Sequence, residues 1–108
     1  GSAKFGIDYE GISFKDFTFT LDSNDITNFN LGRLSFRVRN YDPNKLNDMT
    51  IKINDYTVFK GVPTLTYFSR TFGTEVPLNV GSNTISFSVD REAYYDLADV
   101  TLTIVKSI

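Results

Sequence analysis

The chain has 108 residues and a net charge of −2, from 11 basic and 13 acidic side chains. This balance lacks the basic excess of proteins that bind nucleic acid or a membrane surface, and no apolar run approaches the roughly 18 residues of a transmembrane helix. The chain has no cysteine and no histidine, which excludes disulfides, thiol catalysis, the usual general base and the commonest zinc ligand.

The domain organisation is simple. Gly1 and Ser2 look like the remnant of an expression vector, and the rest of the sequence has no linker, repeat or low-complexity tract. No charged segment followed by an apolar stretch marks a targeting sequence. Because this length suits one hydrophobic core, we expect a single domain over residues 3–108.

Apolar and polar side chains alternate along most of the chain, which is the pattern of half-buried β-strands. Eight predicted strands cover residues 4–9, 16–21, 33–39, 49–54, 64–67, 76–80, 85–90 and 100–104. Tyr56 and Val58 are typical of the start of a further strand. About eight strands at short spacing predict an all-β fold, an antiparallel β-sandwich of the jelly-roll or immunoglobulin-like type.

The breaks between strands carry turn-forming residues. Clusters of Asp, Asn, Gly and Pro predict turns at residues 22–25, 40–44, 54–55 and 80–83. Pro77 cannot donate a backbone hydrogen bond, so its strand is predicted to lie at a sheet edge or to carry a bulge. Residues 90–97 are predicted to form either one helical turn beginning at Asp90 or a loop.

Candidate catalytic groups are few. A serine nucleophile normally needs a histidine base, and the sequence has no nucleophile elbow and no glycine-rich phosphate loop. Most acidic residues fall in predicted turns, where Asp side chains bond to the local backbone. We therefore expect a protein that is not an enzyme, and we keep a hydrolase built on two carboxylates as an alternative.

One metal site is a candidate. Calcium binds six to eight oxygen ligands, and a cluster of Asp and Asn side chains between two predicted strands supplies several. Its candidate ligands are Asn40, Asp42, Asn44 and Asp48. A turn that uses these side chains for its own hydrogen bonds is the alternative, in which case no cofactor is needed.

Three arginines form the first candidate binding surface. Arg33, Arg37 and Arg39 share one face of a predicted strand whose other face is apolar, so their guanidinium groups are expected to face solvent. Such a row suits carboxylate, sulfate or phosphate ligands. The alternative is a cross-strand ladder of ion pairs with acidic residues. The acids considered for that ladder are Asp16, Asp90 and Glu92.

Aromatic residues suggest a second candidate surface over residues 67–73. Tyr67, Phe68, Arg70 and Phe72 precede a glycine, and we predict that they form an exposed binding loop. Exposed aromatic side chains stack on sugar rings or anchor protein interfaces. The alternative is that aromatic side chains in and beside the loops close the two open ends of the sandwich.

Four segments together resemble a known family. These are GRLSFRVR at 32–39, MTIKINDYTV at 49–58, VPLNVGSNTISF at 76–87 and DVTLTI at 99–104. They are similar to the galactose-binding-like jelly rolls of carbohydrate-active and cell-surface proteins, in which a strand Ile-x-Ile-Asn-x-x-x-Val precedes a turn Leu-x-x-Gly-x-Asn-x-Ile. Extracellular immunoglobulin-like adhesion modules space their turns similarly. The resemblance implies the fold and a location outside the cell or at its surface.

These observations predict a non-catalytic extracellular interaction or structural domain. It would belong to a surface-anchored or assembled structure such as an adhesin, filament, sheath or virion component. Its partners would be another protein or its own copies, bound through edge strands and loops. The alternative is a carbohydrate-binding accessory domain that uses the arginine row and the aromatic loop. Neither interpretation involves nucleic acid or insertion into a membrane.

Overall fold

The computed structural model describes residues 2–4, 10–12, 14–40, 48–89 and 95–107, with side chains from residue 14 onward. Within these residues the chain forms nine strands and one short helix. In chain order they are β1 (Ser2–Lys4), β2 (Glu10–Ile12), β3 (Phe14–Leu21), α1 (Ser23–Thr27), β4 (Phe29–Asn40), β5 (Met49–Ile53), β6 (Tyr56–Gly61), β7 (Thr66–Phe72), β8 (Gly81–Val89) and β9 (Tyr95–Lys106).

The strands form two sheets. A five-stranded sheet has the order β1-β9-β4-β7, with β2 also pairing to β9, and a four-stranded sheet has the order β3-β8-β5-β6. Every pairing is antiparallel. The predicted all-β antiparallel sandwich is therefore confirmed. Antiparallel sheets with one solvated face produce the period-two alternation seen in the sequence.

The hydrophobic core lies between the two sheets. Leu34, Phe36 and Val38 of β4 are fully buried, as the alternation predicts. The ring of Phe36 meets Phe87 of the opposite sheet edge-on, with ring centroids 5.5 Å apart. Along one side of the sandwich, Phe59 of β6 contacts Phe68 of β7, with centroids 4.7 Å apart. Aromatic contacts thus join the sheets both in the centre and at an edge.

Gly32 has a packing role in β4. It pairs with Phe72 of β7, whose ring lies directly over it. A Cβ atom at Gly32 would lie 2.2 Å from Cζ of Phe72, closer than any real contact. The aromatic ring therefore occupies the space that a side chain would take, and Gly32 itself is buried.

The connection over residues 73–80 corrects one prediction. Residues 76–80 were expected to form a strand, but they form an irregular segment in which Val76 is buried. Pro77 offers no N–H group for a ladder, and its carbonyl instead accepts a hydrogen bond from the Asn54 side chain at 2.7 Å. Val76 belongs to the core and Leu78 packs against it, whereas Val80 is exposed.

The helical prediction also needs correction. Of residues 90–97, residues 90–94 lie outside the described part of the chain, while Tyr95–Leu97 belong to β9 and not to a helix. The short helix occurs instead at 23–27, where we expected only a turn. The described residues contain no helix that is long and apolar enough to cross a bilayer.

Helix α1 is held by reciprocal capping. Asp22 accepts a hydrogen bond from the Asp25 N–H at 2.8 Å, and Asp25 accepts one from the Asp22 N–H at 3.0 Å. This capping box satisfies two backbone donors that a helix terminus would otherwise leave unpaired. Asp25 also forms an ion pair of 2.8 Å with Lys106 of β9. The hydrogen bond to Lys106, and after it the Asp22 N–H, lowers the pKa of the Asp25 carboxyl.

Candidate functional site

A two-residue turn between β5 and β6 begins the most distinctive local structure. Asn54 and Asp55 have φ angles of 48° and 67°, the left-handed region that a type I′ hairpin turn requires at both positions. Asn and Asp tolerate this conformation better than other non-glycine residues. The turn predicted at 54–55 is therefore confirmed. In this turn the Asn54 side chain reaches Thr84 of β8.

The amide groups of Asn54 and Asn83 form a network at this end of the four-stranded sheet. Asn54 Nδ2 donates to Asn83 Oδ1 at 2.8 Å, and Asn54 Oδ1 accepts from the Thr84 N–H at 2.9 Å. Asn83, only 1% exposed, accepts from the Asn79 N–H at 2.8 Å and donates to the Asn79 carbonyl at 2.9 Å. The network fixes the hairpin turn, the connection before β8 and β8 itself relative to one another.

Next to this network, a groove of about 610 Å³ lies on the outer face of the four-stranded sheet. Its floor and walls come from β3, β5 and β8 and from the segments that carry Asp55 and Asn79. The residues that line it are Phe14, Asp16, Lys52, Asn54, Asp55, Asn79, Thr84, Ser86 and Ser88. Sequence reasoning missed this site, because its residues are distant in sequence and lie in ordinary alternating strand patterns.

The strand register shows how the groove is arranged. Ser86 of β8 lies opposite Asp16 of β3 on one side and opposite Lys52 of β5 on the other. The next row places Ser88 beside Phe14, which is 64% exposed. Short hydroxyl side chains on the central strand therefore form the floor, and longer charged and aromatic side chains rise on either side.

This arrangement suits a polyhydroxylated ligand. Serine and threonine hydroxyls both donate and accept hydrogen bonds, the carboxylate accepts, and the ammonium donates. The exposed ring of Phe14 adds an apolar surface at the rim of the groove. Polar groups that fix the orientation of a ligand, with an aromatic side chain beside them, are features that ligand sites share.

The arginine row lies on the other side of the molecule, on the outer face of the five-stranded sheet. Arg37 forms an ion pair with Asp99 at 3.4 Å, and Arg39 forms one with Asp96 at 3.3 Å. Cross-strand pairing, the alternative considered for the row, therefore applies to these two arginines. The partners seen within the described residues are β9 acids, whereas Asp16 lies on the opposite sheet. Asp90 and Glu92 lie outside the described residues. Arg33 stands between Thr71 and Thr103 in the register.

The predicted aromatic loop is wrong as a loop. Its residues form the edge strand β7, in which Phe68 and Phe72 are buried at 5% and 6% exposure and belong to the core. Tyr67 remains 57% exposed. The Arg70 guanidinium lies 5.2 Å from the ring centroid of Phe59, in cation–π contact. The strand predicted over residues 64–67 overlaps only the start of β7. The polar side chains around the two phenylalanines concealed the rest, since an edge strand is exposed on more than one side.

The candidate calcium ligands are only partly described. Asn40 is half-buried at the end of β4 and Asp48 is half-buried before β5, whereas Asp42 and Asn44 lie outside the described residues. Burial of the ring, and after it the charge of Asp48, raises the pKa of the Tyr95 phenol. Among the residues the structure describes, no three acidic side chains converge on a possible metal position. Calcium binding stays a prediction.

No protein-family model matches the sequence, and no curated protein sequence matches it. Solved structures do match. Dimeric latent PorU from Porphyromonas gingivalis contains a similar region, with a TM-score of 0.68 and 11% identity over 98% of this chain. This chain spans only 11% of that protein.

Two carbohydrate-binding modules match over nearly their whole length. A family 35 module from Clostridium thermocellum has a TM-score of 0.53 and 16% identity, covering 96% of this chain and 88% of the module. A family 35 module from an environmental isolate has a TM-score of 0.52 and 14% identity, covering 98% and 91%. The chain shares their β-sandwich fold. At this level of identity, fold is what the likeness establishes.

Proposed function

We propose that the chain is a non-catalytic carbohydrate-binding domain that holds a glycan in the groove of its four-stranded sheet. The observation that carries the proposal is the groove itself, with a serine and threonine floor between Asp16 and Lys52 and an exposed phenylalanine at the rim. The shared fold of modules that are carbohydrate-binding supports the same function. This function is consistent with a domain located at the cell surface or outside the cell.

A glycan array followed by calorimetry tests the proposal. Phe14→Ala removes the exposed ring, and Tyr67→Ala removes an exposed ring from the opposite sheet as a matched control. We expect Phe14→Ala to weaken binding about tenfold or more, since burying an aromatic side chain contributes on the order of 1.5–3 kcal/mol. Tyr67→Ala should leave the affinity unchanged.

The same two variants distinguish the groove from the arginine face. Loss of binding in Tyr67→Ala with retention in Phe14→Ala would assign glycan binding to the face that carries Arg33, Arg37 and Arg39. Failure of the wild-type protein to bind any neutral or anionic glycan would refute carbohydrate binding on either face.

A second candidate is an interaction domain within a larger protein. It is favoured by the higher structural similarity to PorU, in which the matched region forms 11% of the chain. Strand β7 pairs only with β4, so within the described residues its outer edge has no partner strand. Such an edge offers backbone groups to another chain.

A further inference from the structure

The two charged walls of the groove face each other across its floor. Asp16 and Lys52 belong to one cross-strand row with Ser86 between them. Since neighbouring strands are about 4.8 Å apart, the backbones of the two charged residues are separated by roughly 9.6 Å. That gap leaves room for a ligand above Ser86, with a hydrogen-bond acceptor on one side and a donor on the other.

Both charges are available to a ligand. Among the described residues, neither the Asp16 carboxylate nor the Lys52 ammonium forms a hydrogen bond or an ion pair, and both residues are exposed. The arrangement differs from that on the opposite sheet, where Arg37 and Arg39 are paired with Asp99 and Asp96. Within the described residues, no cross-strand ion pair therefore neutralises the charges of Asp16 and Lys52.

The groove carries more negative than positive charge. Its lining contains the carboxylates of Asp16 and Asp55 and the ammonium of Lys52. Lys60 lies on the edge strand β6, opposite Thr50 of β5, and is not part of the lining. A sugar hydroxyl can donate to a carboxylate and accept from an ammonium, whereas an ionised sugar carboxylate only accepts. A sugar acid placed between the walls would bring its charge toward Asp16.

We propose that Asp16 is a specificity-determining residue that makes the groove favour uncharged over acidic glycans. This inference rests on the proposed function and names the substrate class of the same groove. Lys52 has the opposite influence, because its ammonium attracts an acidic sugar. The selectivity of the groove for neutral over acidic chains is then set by the balance of these two side chains across Ser86.

The test uses matched pairs of glycans. Oligomers of β-linked glucose, mannose and galactose are compared by calorimetry with oligomers of equal length whose primary alcohols are oxidised to carboxylates. We expect the wild-type protein to bind at least one neutral oligomer, and to bind it roughly fivefold more tightly than its acidic counterpart. Two carboxylates and one ammonium leave the lining with one net negative charge, and fivefold is the effect of one unit charge about 4 Å from another in water. Raised salt should narrow this difference by screening.

Three variants complete the experiment. Asp16→Asn should lower the ratio of neutral to acidic affinity by roughly fivefold, and Lys52→Gln should raise it. Asp99→Asn, on the opposite sheet, is the matched control and should leave the ratio unchanged. Thermal unfolding followed by circular dichroism shows that each variant is folded.

The possible failures are distinguishable. Equal or tighter binding of the acidic oligomers by the wild type, or an unchanged ratio in Asp16→Asn, would overturn the role of Asp16 while carbohydrate binding stands. Absence of binding to every oligomer of both kinds, together with a silent glycan array, would overturn the proposed function as well.

Discussion

Individual asparagines connect the sequence pattern to the shape of the groove. Asn54 and Asn83 occupy the two asparagine positions of the motifs that resemble the galactose-binding-like family. In the structure they bond to each other and hold the connection that carries Asn79. The motif is therefore explained by buried hydrogen bonding, and it positions one end of the groove without itself specifying a ligand.

Replacement of Asn83 tests this structural role. Asn83→Ala removes the part-buried hydrogen bonds to Asn79, Gly81 and Asn54 and leaves the polar groups of these residues without those partners. We expect a loss of about 2–4 kcal/mol in the free energy of unfolding, measured by urea denaturation. Asn79→Ala is the matched control. Its side chain is exposed, and its hydrogen bonds to Asn83 come from the backbone, so it should change stability by about 0.5 kcal/mol or less. Equal effects of the two substitutions would contradict the network.

At the scale of elements, α1 shows how a segment rich in Asp and Asn can serve the fold. The Asp22–Asp25 capping box begins the helix, and Lys106 near the end of β9 reaches back to Asp25 and to Asn24. A five-residue helix is too short to be stable alone, so its tertiary contacts hold it in place. The acidic residues Asp22 and Asp25 thus have structural roles in beginning the helix and in holding it against β9.

The Asp25–Lys106 pair makes stability depend on pH in a defined direction. The folded state lowers the pKa of Asp25 from 3.8, so the pair stabilises the protein above that pH and is lost as the pH falls through the lowered pKa. Lys106→Met should therefore flatten the decline in unfolding free energy between about pH 5 and pH 2. Part of the decline should remain, because the Gly73 N–H lowers the pKa of Glu75 in the same direction. Lys60→Met, a matched surface substitution, should keep the wild-type dependence of unfolding free energy on pH. If Lys106→Met also keeps the wild-type dependence, the ion pair is not its cause.

At the scale of the whole molecule, the two outer sheet faces differ in how they use charge. The five-stranded face pairs Arg37 and Arg39 with acids of β9. On the four-stranded face, the side chains of Asp16 and Lys52 stand on either side of a groove and have no partner within the part of the chain that the structure describes. Side chains that neutralise each other stabilise a sheet modestly, whereas unpaired polar groups that converge on one groove are available for recognition.

The association state distinguishes a glycan-binding domain from an assembly domain. The exposed apolar residues near edge strand β7 are Val62, Leu65 and Tyr67. Three such side chains supply little of the 1,200–2,000 Å² that a stable interface typically buries, so we expect a monomer in sedimentation velocity from about 10 μM to 1 mM. A sedimentation coefficient that rises reversibly with concentration, and returns to the monomer value in Tyr67→Lys, would favour the assembly domain instead.

The amino-acid sequence by itself determined the class of fold and the location of most strands. Alternation is a local property, because successive side chains point to opposite faces of any strand, and so Leu34, Phe36 and Val38 could be assigned to the core. The absence of His and Cys likewise excluded whole classes of chemistry without reference to structure. The prediction failed where local signals conflict with tertiary context, as at Pro77 and at the edge strand containing Phe68.

Only the tertiary structure decided where a ligand could bind. Asp16, Lys52 and Ser86 lie on three strands that are distant in sequence, and nothing in their local patterns encodes which strands pair. Strand pairing depends on long-range packing of the whole core, and the groove exists because that packing places β8 between β3 and β5. The same packing buries Phe72 over Gly32 and so removes from the surface a ring that the sequence alone had placed there.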